Sequence, residues 1–124
     1  MELHESAEDY LETILILKEK NGKVRSIDIA TELDVTRPSV SVAMKRLAEN
    51  GYISVDESGF ITMTKEGKSV AEKTYKKHKL LVSVLEAMGV SHKTAEKEAC
   101  KIEHVISDTT VNCISKYYKN NMAK

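Results

Sequence analysis

Ala7, Tyr10, Leu11, Ile14, Leu15 and Leu17 recur at the three-and-four spacing that lines one side of an α-helix. Ser6 precedes them as an N-cap, Glu8 and Asp9 occupy a first turn where the helix dipole favours negative charge, and Asn21-Gly22 closes the segment. A shorter apolar set, Ile27, Ile29, Ala30 and Leu33, follows a Ser26 cap. A third set, Val40, Val42, Met44 and Leu47, opens with Thr36 and Pro38 and stops at Asn50-Gly51. The pattern then changes: residues 52–55 (YISV) and 60–63 (FITM) are β-branched or aromatic runs joined by Asp56-Glu57-Ser58-Gly59, a hairpin turn. Thr64 caps a long helix from Lys65 to about Met88, with Val70, Ala71, Leu81, Val84, Leu85 and Met88 on one side and Gly89 at its end. Ser91 caps a fifth helix carrying Ala95, Ala99, Ile102, Val105 and Ile106, and a last one runs from about Asp108 to Tyr118.

The predicted fold is mostly α with a small β-hairpin wing: a winged helix-turn-helix over 1–64 followed by a helical domain over 65–124. In that arrangement the second helix of the pair enters a DNA major groove and the wing touches flanking backbone. Thr36, Arg37, Pro38, Ser39, Ser41, Lys45 and Arg46 are the DNA-facing candidates. Hydroxyls near the helix start can donate to phosphates or base edges, Pro38 can touch a thymine methyl, and Arg or Lys neutralises phosphate. The case is local, because 19 basic and 19 acidic residues leave the whole chain neutral. Residues 1–64 hold 7 basic and 12 acidic side chains, residues 65–124 hold 12 and 7, and the stretch 35–50 is net +2. A three-helix unit with a hairpin can equally serve protein contacts.

Cys100, Glu103 and His104 stand at i, i+3 and i+4, which places a thiol, a carboxylate and an imidazole on one face of the fifth helix. Together they are a partial site for a borderline transition metal, and a complete one needs ligands from elsewhere. Asp9 and Glu12 share a face of the first helix with Ile16, away from its apolar stripe, and the isoleucine hints that this face is covered. Each of these residues also has a plain reading: a solvated carboxylate pair, a small buried cysteine, an exposed polar pair. His78 falls within the apolar arc of the fourth helix, where a hydrogen-bonded core histidine is the usual outcome. Two cysteines without C-x-x-C spacing fit a reducing compartment. The acidic start and the lack of an eighteen-residue apolar run argue for a cytoplasmic protein with no membrane partner.

The strings SAEDYLETI, YKKHKLL and EACKIEHVISD, with the helix-turn-helix and wing, closely resemble the iron- and manganese-dependent repressors of the diphtheria-toxin-repressor type over nearly the whole chain. The resemblance implies a winged-helix domain followed by a helical metal-binding and dimerisation domain, and a homodimer that binds double-stranded operator DNA when a divalent metal is present. It also implies metal ligands at Asp9, Glu12, His78, Cys100, Glu103 and His104. Cys100 falls where the iron branch has cysteine and the manganese branch glutamate, whereas Asp9 follows the manganese branch, so the two patterns are mixed. Val82 and Glu96 stand where the iron repressor's ancillary site has glutamate and histidine, and Val42 replaces a recognition-helix glutamine. The chain resembles the short, two-domain form, without an SH3-like third domain.

The expectation is a metal-activated transcriptional repressor of iron or manganese homeostasis, using Fe2+ or Mn2+, with Co2+, Ni2+ or Zn2+ able to bind in vitro. The alternative is a metal-independent winged-helix DNA-binding module. An enzyme is disfavoured, because H-E-x-x-H and a Gly-rich phosphate loop are both missing.

Overall fold

The computed structural model describes residues 5–122. It carries α1 (Glu5–Asn21), α2 (Ser26–Leu33), α3 (Arg37–Glu49), β1 (Ile53–Val55), β2 (Ile61–Met63), α4 (Lys65–Ala87), α5 (His92–Ile102) and α6 (Asp108–Asn121). The order is that of a winged helix followed by a helical unit, and two compact units divide inside α4 between Lys73 and Thr74. No helix among the described residues is long and apolar enough to cross a membrane.

Caps account for most helix starts. Thr36, Ser91 and Ser107 each accept a backbone N–H with their hydroxyl, from Ser39, Thr94 and Thr110. Thr64 accepts from Gly67 N at 3.2 Å. Two expected caps are corrected. Ser26 is the first residue of α2 rather than its cap, because Asp28 accepts from the Arg25 backbone N–H at 2.8 Å and sets the start one residue earlier. Helix α1 already includes Glu5, ahead of the expected Ser6 cap, and the Ser6 side chain lies outside the described residues.

In the first unit Leu11, Ile14 and Leu15 of α1, Ile29 of α2, and Val40, Met44 and Leu47 of α3 are buried with Ile53 and Ile61 of the hairpin. Leu11 and Ile14, wholly enclosed, each stabilise the unit by about 1.5–3 kcal/mol. Val42, expected among the apolar set of α3, is instead 55% exposed, because the buried positions 40, 44 and 47 leave it on the opposite side. The hairpin pairs Ile53 with Met63 and Val55 with Ile61. Asp56 tightens its turn by accepting from the N–H groups of Ser58 and Phe60. A further pairing was not foreseen: Ile61 N–H donates to Val24 C=O at 2.8 Å, and Arg25 bridges to Phe60.

Gly67 fastens the root of the wing. A Cβ at this position would lie 1.9 Å from the Tyr52 carbonyl oxygen, which is backbone and cannot swing away. Gly67→Ala should therefore destabilise the protein by roughly 1–3 kcal/mol, the usual cost of overpacking. Urea unfolding of parent and variant checks this, and an unchanged midpoint would contradict the close approach.

The second unit has its own core, with Leu81, Val82, Ala95 and Ala99 buried and Leu85, Val90, Ile102, Ile106 and Ile114 packed against them. Two residues assigned to its stripes point outward instead. Met88 is 69% exposed and Val105 is 76% exposed, because both lie just past the ends of their helices.

Candidate metal centre and nucleic-acid interface

Helix α3 begins from a turn that holds Asp34 in the left-handed region (φ 54°), with the Val35 N–H bonded to Ala30 C=O. This bend swings α3 away from α2, and Val40, Met44 and Leu47 then anchor one side of α3 in the core. The opposite side is left to solvent. Thr36, Arg37, Pro38, Ser39, Ser41, Lys45 and Arg46, the seven sequence candidates, are all exposed. The Thr36 hydroxyl donates to Ser39 Oγ at 2.8 Å as well as capping the helix. Sequence reasoning missed Lys23 and Arg25, whose cationic groups lie 4.9 and 4.2 Å from the Phe60 ring centre and add positive charge beside the wing. Their interleaving with aromatic Phe60 becomes visible only once the pairing of residues 24 and 25 with the hairpin is known.

In the second unit, Cys100, Glu103 and His104 each offer a donor atom within 4.8 Å of one another. The expected geometry needs one correction, since α5 ends at Ile102 and Glu103 is its C-cap rather than an interior residue. The backbone at Glu103 remains right-handed helical (φ −58°, ψ −25°) and its N–H still bonds to Ala99 C=O at 2.9 Å. The i, i+3, i+4 relation therefore survives the helix end, after which Val105 and Ile106 fold back on the Ile102 carbonyl.

Glu103 is completely buried. His104 Nε2 lies 3.3 Å from its Oε1, and His78 Nδ1 lies 3.0 Å from its Oε2. Neither carboxylate oxygen accepts a hydrogen bond. A buried carboxylate costs several kcal/mol unless its charge is compensated, and imidazole nitrogens that approach without donating do not compensate it. Cys100 and His104 gathered with the Glu103 carboxylate, and His78 against its other oxygen, offer donor types and a negative charge that fit a divalent transition cation. The His78 side chain, on α4, is 13% exposed. Its other ring nitrogen, Nε2, is 2.6 Å from Glu96 Oε2. In the sequence Glu96 was noted only as a departure from the iron repressor's ancillary site; it lies one helical turn before Cys100.

Asp9 and Glu12 lie one turn apart on α1, in the first unit. Asp9 is half-buried and Glu12 is buried, so the Glu12 face is covered, as Ile16 hinted.

The family profile described as the iron dependent repressor N-terminal DNA binding domain matches residues 2–59. That of the iron dependent repressor metal binding and dimerisation domain matches residues 64–122. A helix-turn-helix transcriptional regulator of Methanocaldococcus jannaschii is 37% identical over 108 residues, covering 86% of this chain and 86% of its own. The transcriptional regulator MntR of Escherichia coli is 31% identical over 120 residues, 97% of this chain and 77% of that protein. A solved manganese-dependent transcriptional repressor in complex with manganese superposes with a TM-score of 0.84 at 28% identity, covering 91% of this chain. The chain spans about half the length of that solved protein, 52%.

Proposed function

Because the chain belongs to the iron dependent repressor family, whose DNA-binding and metal-binding domains both match it, we propose that it is a homodimeric repressor whose hold on operator DNA is switched by Fe2+ or Mn2+. Its relatives are transcriptional regulators and it is not an enzyme. It acts in the cytoplasm, where its operator DNA is and where its two thiols stay reduced. Residues 1–64 read DNA, and residues 65–124 supply most of the metal ligands and the contact with the partner copy.

The single observation that carries the reading is the buried Glu103 carboxylate, faced by His78 and His104 and accompanied by Cys100. We assign the cation to His78, Cys100, Glu103 and His104, with Asp9 and Glu12 as the oxygen ligands that α1 supplies. A bound divalent ion neutralises carboxylates that otherwise repel one another, so its binding favours one arrangement of reader and sensor. Dimerisation draws on the apolar groove of the second unit lined by Val84, Met88, Ile114, Tyr117 and Met122, a surface that a monomer leaves wet.

The test is a footprint on host genomic fragments with and without metal. A near-palindromic sequence should be protected in Mn2+ or Fe2+ and released by chelator. The same footprint in chelator would establish the metal-independent module instead. Within that operator, Arg37→Ala or Arg46→Ala should weaken binding by about 1–3 kcal/mol where a base edge is read. Where only phosphate is touched, the slope of log affinity against log salt should fall by about one. An affinity and slope equal to the parent's for both variants would take α3 out of the groove.

A further inference from the structure

His78 is held between two carboxylates that make different demands on its ring. Glu96 Oε2 stands 2.6 Å from Nε2, and Glu103 Oε2 stands 3.0 Å from Nδ1. A neutral imidazole carries one N–H, and an ionised carboxylate can only accept. The proton therefore belongs where the hydrogen bond is. The contact with Glu96 is a hydrogen bond, whereas Glu103 accepts none with either oxygen. Nε2 is thus the donor, and Nδ1 keeps its lone pair on the Glu103 side.

From this geometry we infer that Glu96 is a positioning residue: it fixes the tautomer and rotation of His78 so that Nδ1 is the nitrogen offered to a bound cation. The inference rests on the assignment of His78 as a ligand in the preceding section and adds a residue to it. A ligand histidine commonly donates its second N–H to a carboxylate, which locks the ring and raises its basicity toward the metal. Glu96 is itself steadied. Its Oε1 lies 3.5 Å from Nε2 of His92, one turn earlier on α5, and Nδ1 of His92 lies 3.2 Å from Glu86. This string runs outward to solvent, with Glu96 and His92 side chains 47% and 71% exposed, so Glu96 can be altered without opening the core.

The experiment compares parent, Glu96→Gln, Glu96→Ala and His92→Ala, each as the full chain, by two measurements. Long-range 15N–1H correlation on the metal-free, histidine-labelled protein reports the His78 tautomer, and calorimetric titration with Mn2+ reports affinity. Glutamine retains an oxygen that accepts from Nε2, so Glu96→Gln should keep the Nε2–H ring. Glu96→Ala should lose that preference and bind Mn2+ roughly 10–100-fold more weakly, the usual cost of removing an outer partner, while Glu96→Gln and His92→Ala stay within about fivefold of the parent. Should Glu96→Gln lose as much affinity as Glu96→Ala while keeping the tautomer, Glu96 would be a ligand and the positioning role would be overturned. A His78 ring that remains Nε2–H in Glu96→Ala, or an Ala variant with parental affinity, overturns it as well. Failure of the parent to take up Mn2+ would strike the ligand assignment instead, and the tautomer readout would still decide whether Glu96 sets the ring.

Discussion

Glu103→Gln combined with His104→Ala should leave a protein that folds in chelator, takes up neither Mn2+ nor Fe2+ at concentrations that saturate the parent, and no longer responds to metal in DNA binding. The expectation follows from where the charge is. Glu103 is the fully buried member of the cluster, and the imidazole nitrogens that face it at 3.0 and 3.3 Å do not donate to it. Glutamine keeps the shape and removes the charge, and alanine at 104 removes a nitrogen donor. The loss should exceed the roughly 10–100-fold that follows removal of an outer partner, because both changes strike residues assigned to the cation directly. Without metal the double variant should be no less stable than the parent apart from the space left by the imidazole, since an uncompensated buried carboxylate has gone. Calorimetry on the chelated, reduced protein gives the first number, and thermal unfolding in chelator gives the second. Parental affinity for both metals would show that the site is elsewhere.

Cys100→Glu should invert the metal preference. A thiolate favours iron, cobalt or zinc, and an added carboxylate in its place favours manganese. Half-maximal DNA binding in the variant should need less free Mn2+ and more free Fe2+ than in the parent. Total affinity is a poor guide, because the Irving–Williams order places zinc above both ions whichever one activates. The readout is therefore operator binding at buffered free metal, under reducing conditions. Equal activation curves for parent and variant would place Cys100 outside the set of ligands. Acidification should weaken uptake in both proteins, because imidazole must lose its proton to coordinate, and thiol must do so in the parent.

Element type was legible along most of the chain because apolar spacing and caps agree. Thr36, Thr64, Ser91 and Ser107 all sit at helix starts, and the hairpin follows from its β-branched runs. What was not legible depends on long-range contact or on backbone strain. The helix-turn-helix corner uses Asp34 at φ 54°, a conformation that a sequence ordinarily signals with glycine. Pairing of Val24 and Arg25 with the hairpin brings Lys23 and Arg25 to Phe60, and no local pattern around residue 24 foretells it. The clustering of Cys100, Glu103 and His104 was readable from i, i+3, i+4 spacing even though α5 stops short of Glu103, because the C-cap remains helical. Glu96 was legible only as a departure from the iron repressor's ancillary site, because one position in a sequence does not show what its side chain meets. Its meaning comes from the His78 ring 2.6 Å away on another helix.

Metal and operator should favour the same state of the protein, and linkage makes that coupling directly measurable. If metal tightens operator binding by some factor, operator must tighten metal binding by the same factor. Mn2+ titrated calorimetrically into the free protein and into its operator complex, at one salt concentration and pH, should give a higher affinity in the complex. The ratio should equal the metal-induced gain in DNA affinity, typically about 5–150-fold for coupled sites. Identical Mn2+ affinity in the two titrations would contradict the account, since a cation that binds both states equally cannot act as the switch.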